Sequence, residues 1–295
     1  MRRILFALFA VVTVVDAGAQ DRQPSQYERL LLPVHQSVAG AQGSWRVQWW
    51  VRNDGDGPVD VFPLALGCGL PGPGPDPAVH ILRRPAIPAN HTISCLAGDA
   101  LPSFVSPPHV PVRGSVGAFL YLEKGADRLN VSGAVGWVSR DVSPEPEHLQ
   151  AISETVFHRG AASILPVPIS LNARYALRVY ALPETVDAHA ITIRFYEIQP
   201  NGVVAPEERL LATISGEFEL QAPSLAPCRQ PCDIPDVPLA PAIYQLFDLP
   251  RPAKHVFQSP MRVEISPVSP NVRWWAMVSA TDNSTQSIRL FPSGP

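Results

Sequence analysis

Proline occupies 34 of the 295 positions, roughly twice its average share of about 5%. Each proline lacks a backbone N–H and clashes inside a helix, which excludes a helix bundle or a coiled coil. In sheets, proline is confined to edge strands, strand ends and loops. The prolines crowd into stretches such as 63–77, 101–111 and 223–242. Between those stretches the chain alternates. In Ser44-Trp-Arg-Val-Gln-Trp-Trp-Val-Arg-Asn53, Trp45, Val47, Trp49 and Val51 fall on one face of an extended strand. Arg46, Gln48, Trp50 and Arg52 fall on the other. That is the period of two that a half-buried strand requires. Met261–Ser266 repeats the pattern. Further strands are expected at 29–34, 59–62, 79–82, 92–96, 117–123 and 129–139. In the second half they are expected at 175–182, 190–198, 209–220, 243–249, 272–281 and 287–291. No long amphipathic helix pattern is present, so a βαβ architecture is not expected and the fold class is all-β.

Residues 1–19 have the form of a secretory signal peptide. Arg2 and Arg3 precede the apolar run Ile4–Val15, and Ala17-Gly18-Ala19 supplies small residues before Gln20. The apolar run is too short to span a bilayer, and no later stretch is long enough, so no membrane span is expected in the mature chain. The expected location is exported: periplasmic, cell-surface or extracellular. The remaining chain divides best into two domains of ordinary size. The expected boundaries are 20–140 for the first, 141–158 for a Pro/Glu-rich linker and 159–295 for the second. Cys68, Cys95, Cys228 and Cys232 are an even set in an exported chain, which favours disulfides. Three pairings are possible. The long gap between Cys95 and Cys228 suggests one local pair in each half.

The segment Val51-Arg-Asn-Asp-Gly-Asp-Gly-Pro-Val-Asp-Val61 resembles a hairpin of bacterial immunoglobulin-like modules, which often read Val-x-Asn-x-Gly followed by Pro-Val-x-Val. The run Val272–Phe291 resembles the final hairpin of fibronectin type III-like domains. Together they cover under a fifth of the chain. The resemblance implies two tandem immunoglobulin-like β-sandwich domains and an extracellular role, and such folds host many functions.

Composition and motifs narrow the chemistry. A net charge of -3 lacks the basic excess of a nucleic-acid binder. There is no Gly-x-Ser-x-Gly elbow, His-Glu-x-x-His, P-loop or dinucleotide-binding glycine run. The expected function is therefore non-catalytic: an exported binding or surface-structural protein without a cofactor. The alternative is an exported hydrolase or carbohydrate-active enzyme whose site forms only in space. Asn53, Asp54, Asp56 and Asp60 are a concentrated set of oxygen donors that calcium could use. They lack the spacing of a full calcium loop, and the same residues suit a tight turn, which is the preferred reading.

Two Trp-Trp pairs, Trp49-Trp50 and Trp274-Trp275, are the most informative local feature. Neighbouring side chains on a strand point to opposite faces. Trp49 and Trp274 are expected in the core. Trp50, with Arg46 and Arg52, and Trp275, with Arg273, are expected outward. An outward indole beside arginine is either shielded by the guanidinium or by another part of the chain, or free as a platform for an extracellular glycan or protein.

Overall fold

The computed structural model describes residues 27–34, 38–39, 43–62, 86–97, 117–123, 129–141, 143–199, 207–220, 240–250 and 260–294. Among these there is no α-helix, and every strand pairing is antiparallel. No described helix is long and apolar enough to cross a membrane.

Four sheets carry the chain. Sheet I has the order β10 (Ile152–Ser153), β1 (Tyr27–Leu32), β7 (Ala118–Glu123), β4 (Val59–Phe62), β5 (Ala86–Ile87). Sheet II is built on β3 (Gly43–Asn53). This strand pairs on one side with β8 (Leu129–Ser139), itself flanked by β9 (Glu147–Gln150). On its other side it pairs with β6 (Thr92–Ala97) and β2 (Val38–Ala39). Sheet III has the order β11 (His158–Arg159), β18 (Arg273–Asp282), β13 (Ala173–Ala181), β16 (Ala242–Phe247), and β19 (Ile288–Pro292) also joins β18. Sheet IV runs β12 (Ala162–Val167), β17 (Met261–Pro267), β14 (Ala190–Gln199), β15 (Glu207–Glu217).

The second half is a sandwich of sheets III and IV. Tyr175, Leu177 and Val179 of β13 and Trp274, Ala276 and Val278 of β18 meet Ile191, Ile193, Phe195, Val263 and Ile265 in one core. The alternation legible in 261–266 survives in the burial of β17. Sheets I and II form the core of the first half, where Val47, Trp49, Val51 and Val135 pack with Leu32, Leu120 and Leu122.

One sequence expectation changes, and two features go beyond it. The stretch 51–61 was expected as a hairpin, but β3 pairs with β8 and β6 while β4 pairs with β7 and β5. The turn carries the chain from one sheet to the other. Its cause is Asn53, whose buried side chain donates to the carbonyls of Gly57 (2.8 Å) and Ile87 (2.9 Å) and accepts from the Gly55 amide (2.9 Å). This Asx turn redirects the backbone instead of reversing it. The stretch 141–158, read as a linker of which part could pack as a short helix or a bridging strand, holds β9 and β10, which extend sheets II and I, and a 3-10 turn at Glu154–Val156. The other feature is in sheet I. Leu31, Leu32 and Phe119 to Leu122 are all buried, so both faces of this sheet are covered. A strand buried on both faces loses its alternation and reads as a continuous apolar run, as Leu30-Leu-Leu32 and Ala118-Phe-Leu-Tyr-Leu122 do.

The expected strand at 79–82, the side chain of Cys95 and residues Cys68, Cys228 and Cys232 lie outside the described residues. So do the 1–19 segment and the side chain of Asp60.

Candidate binding site between the two sandwiches

The second covering of sheet I is the outward face of sheet III. Tyr180, Leu182, Ile243, Trp275 and Met277 point away from their own sandwich and join the core of the first half. The rings of Tyr180 and Trp275 stack with centroids 6.1 Å apart. The Tyr180 hydroxyl donates to the Pro33 carbonyl across the contact. A Cβ at Gly117 would stand 2.7 Å from the Tyr180 ring and 3.1 Å from Leu31, so glycine is what allows this approach.

A charged clasp closes the same contact. Arg29, 8% exposed, donates through Nε (2.9 Å) and one terminal nitrogen (2.7 Å) to Glu154, and through both terminal nitrogens to Glu184 at 3.2 and 2.5 Å. Its guanidinium lies 4.9 Å from the Phe119 ring centre. Burial would push the Glu184 carboxyl up, but the hydrogen bonds and charge of Arg29 outweigh it and hold the pKa below the usual carboxylate value. A carboxyl whose folded pKa is lowered contributes its full stability above its unfolded value. That contribution is lost as pH falls below 4.5 and through the folded value. Urea midpoints measured from neutral pH downward should therefore drop below pH 4.5 in the parent chain, and less so in Glu184→Gln. An identical acid limb in both would remove the clasp from the account.

Where the two halves part, a cleft of about 310 Å³ opens. One wall is the inner face of sheet II at Trp45, Val47 and Val135, with Val34. The other is the outward face of sheet III at Arg174, Ala176, Arg178, Ser279 and Thr281, with Phe247, Ile288 and Leu290 beside it. Burial grades along β13. Arg174 is exposed, Ala176 and Arg178 are half-buried, and Tyr180 is fully buried in the contact between the halves. The mouth is thus at Arg174, near exposed Phe247 and Asp248, and Arg178 lies deeper. Arg174 hydrogen-bonds Asn283 and Gln286 in the β18–β19 turn. Arg178 donates to the Ser279 hydroxyl at 3.1 Å, but its buried Nε has no acceptor. Such an unmet donor costs about 1–3 kcal/mol.

The residues singled out in the sequence do not converge. Trp50, Arg46 and Arg52 do share the outward face of sheet II. Trp50 is half-buried between Ser94 and Ser132 on the neighbouring strands, and both arginines are exposed. Arg52 pairs with Asp54 and Thr92. Trp275 is outward as the alternation requires, yet only 5% exposed, because the first half covers it. Arg273 donates to the Glu154 carbonyl and stands at that same covered end. The platform around Trp275 and Arg273 is therefore closed. Asn53 spends its amide on the turn, and Asp54 on Arg52. Among the described residues no cluster of His, Cys, Asp and Glu is arranged to hold a metal ion.

Sequence reasoning missed Arg178, Ser279 and Phe247, and read Trp45 only as part of the apolar face of its strand. One signal was present. In Ala173-Arg-Tyr-Ala-Leu-Arg-Val-Tyr-Ala181 the polar face carries two arginines and ends on an aromatic, a face partly open and partly covered.

No family model matches the chain, and no curated protein matches it. A solved structure from infectious bursal disease virus, Gt strain, aligns over 92% of this chain and 78% of that one, at 10% identity and a TM-score of 0.12. That score is too low to mark a shared fold.

Proposed function

We propose that this chain is an exported, non-catalytic binding protein. Two immunoglobulin-like sandwiches follow a cleaved signal peptide, and a small ligand is held in the cleft between them. The observation that carries the reading is the cleft itself. It lies beside a packed contact, is lined mostly by apolar side chains, and has Arg174 and Arg178 on one wall. A concave apolar pocket with a few polar groups is the usual form of a small-molecule site. The acids support binding over hydrolysis. The described carboxylates with displaced pKa values, Glu184, Asp187, Glu208, Glu264 and Asp282, are all lowered. The general acid of a two-carboxylate glycosidase needs the opposite shift.

The outward face around Trp50 supports a second reading, contact with an extracellular glycan or protein. Small Ser94 and Ser132 flank the indole, and an aromatic face bordered by small polar residues can seat a flat partner.

A ligand screen by thermal shift separates these readings. Ligands that stabilise the parent chain and Trp50→Ala, but not Ala176→Phe, place the site in the cleft. The reverse pattern would move it to the sheet II face. Sustained turnover of ester or glycan substrates would replace both with the hydrolase.

A further inference from the structure

We infer that the outward face of sheet II binds an extended glycan chain, with Trp50 as the ring on which a sugar stacks. The inference rests on the second reading above, is independent of the cleft, and adds the chemical class of the partner.

Trp50 is the starting point. The chain has six tryptophans, and the other five each find a partner inside the protein. Trp45 and Trp137 meet with ring centres 5.4 Å apart. Trp49 donates to the Val34 carbonyl, and Trp274 to the Gly160 carbonyl. Trp275 stacks on Tyr180. Among the described residues, Trp50 alone has no ring partner, no cation over it and no acceptor for its indole N–H. The arginines beside it do not shield it. Arg52 turns to Asp54 and Thr92, and Arg46 stays exposed.

The side chains around the indole set the partner. Ser94 and Ser132 stand opposite Trp50 on the neighbouring strands, and Gln150 stands beyond Ser132 on β9. Gln48 is the next outward residue of β3, and His148 shares its row across Ala134. None of these five polar side chains hydrogen-bonds another described group, and Ser94, His148 and Gln150 are exposed. Hydroxyl, amide and imidazole groups both donate and accept hydrogen bonds, as the hydroxyls of a sugar do. A protein interface would need an apolar core around its aromatic anchor. Among the described side chains of these two rows, Ala134 is the only apolar neighbour of Trp50. From β6 to β9 the Trp50 row spans roughly 14 Å, at about 4.8 Å per strand. That suits several linked sugars better than a single one.

Isothermal titration calorimetry at neutral pH tests this with hexasaccharides of glucose, mannose, xylose, N-acetylglucosamine and galacturonic acid, each beside its monosaccharide. At least one hexasaccharide is expected to bind, about tenfold or more tighter than its monosaccharide, because further sugars add hydrogen bonds along the row. Trp50→Ala should weaken it about tenfold or more, as truncation of a central aromatic anchor does. Trp50→Phe should retain part of the affinity, which covers the case of a misfolded alanine variant. Gln150→Ala should weaken binding roughly two- to tenfold, the loss of one hydrogen bond. Failure of every hexasaccharide to bind would overturn the glycan assignment, while leaving the Trp50 face to a protein partner. Binding undiminished in Trp50→Ala would remove the face itself. Binding lost in Ala176→Phe but kept in Trp50→Ala would move the sugar to the cleft, and either result overturns the inference.

Discussion

Trp274→Ala and Trp275→Ala should each destabilise the chain by about 3–5 kcal/mol, the cost of removing a large buried aromatic, although the two side chains point to opposite faces of β18. Trp274 is fully buried in the second sandwich, and its indole donates to the Gly160 carbonyl at 2.9 Å. Trp275 is buried between the halves and stacks on Tyr180. The first pair should behave differently. Trp49, 3% exposed and hydrogen-bonded to the Val34 carbonyl at 2.8 Å, belongs with the costly residues. Trp50 is half-buried on an outward face, and its replacement should cost about 1 kcal/mol. Urea midpoints and slopes of the four single variants settle the pattern. A cheap Trp275→Ala would mean that the two halves do not dock as they do here.

Asn53→Ala should cost about 3 kcal/mol. The side chain is fully buried and makes three backbone hydrogen bonds, and each buried partner left unmet costs about 1–3 kcal/mol. Asn53→Asp should also destabilise. It removes the two donors that reach Gly57 and Ile87 and places a carboxylate among carbonyl oxygens. A calcium site would respond in the opposite way, since an added carboxylate strengthens a cation site. Melting temperatures of the parent, Asn53→Ala and Asn53→Asp, with calcium and with chelator, distinguish the two. If Asn53→Asp melts higher than the parent in calcium, the turn reading of 53–60 falls.

Strand positions were largely legible, because a period of two in 44–53 and 261–266 is a local property of the residues themselves. The turns were legible as breaks in the chain, but not which sheets they join. Asp54-Gly-Asp-Gly-Pro58 looks the same whether it reverses a hairpin or crosses to another sheet. The difference lies in Ile87, whose carbonyl receives the Asn53 side chain from far along the sequence. The strands β9, β10 and β12 were not read because 141–167 is broken by prolines, and short strands there are specified by their partners more than by their own pattern.

The candidate site was the least legible part. Alternation sent Trp50 and Trp275 outward. It carries no information on what stands over that face. Only the docking of sheet III on sheet I closed the face over Trp275 and Tyr180 and left it open from Arg178 to Arg174. The all-β class, the alternating faces and the inward tryptophans follow from the sequence alone, because backbone chemistry and strand periodicity act within a few residues. The double burial of sheet I, the clasp of Arg29 on Glu154 and Glu184, and the cleft beside them belong to the tertiary structure. They depend on contacts between residues over a hundred positions apart, and no local pattern encodes which distant surface will cover a given face.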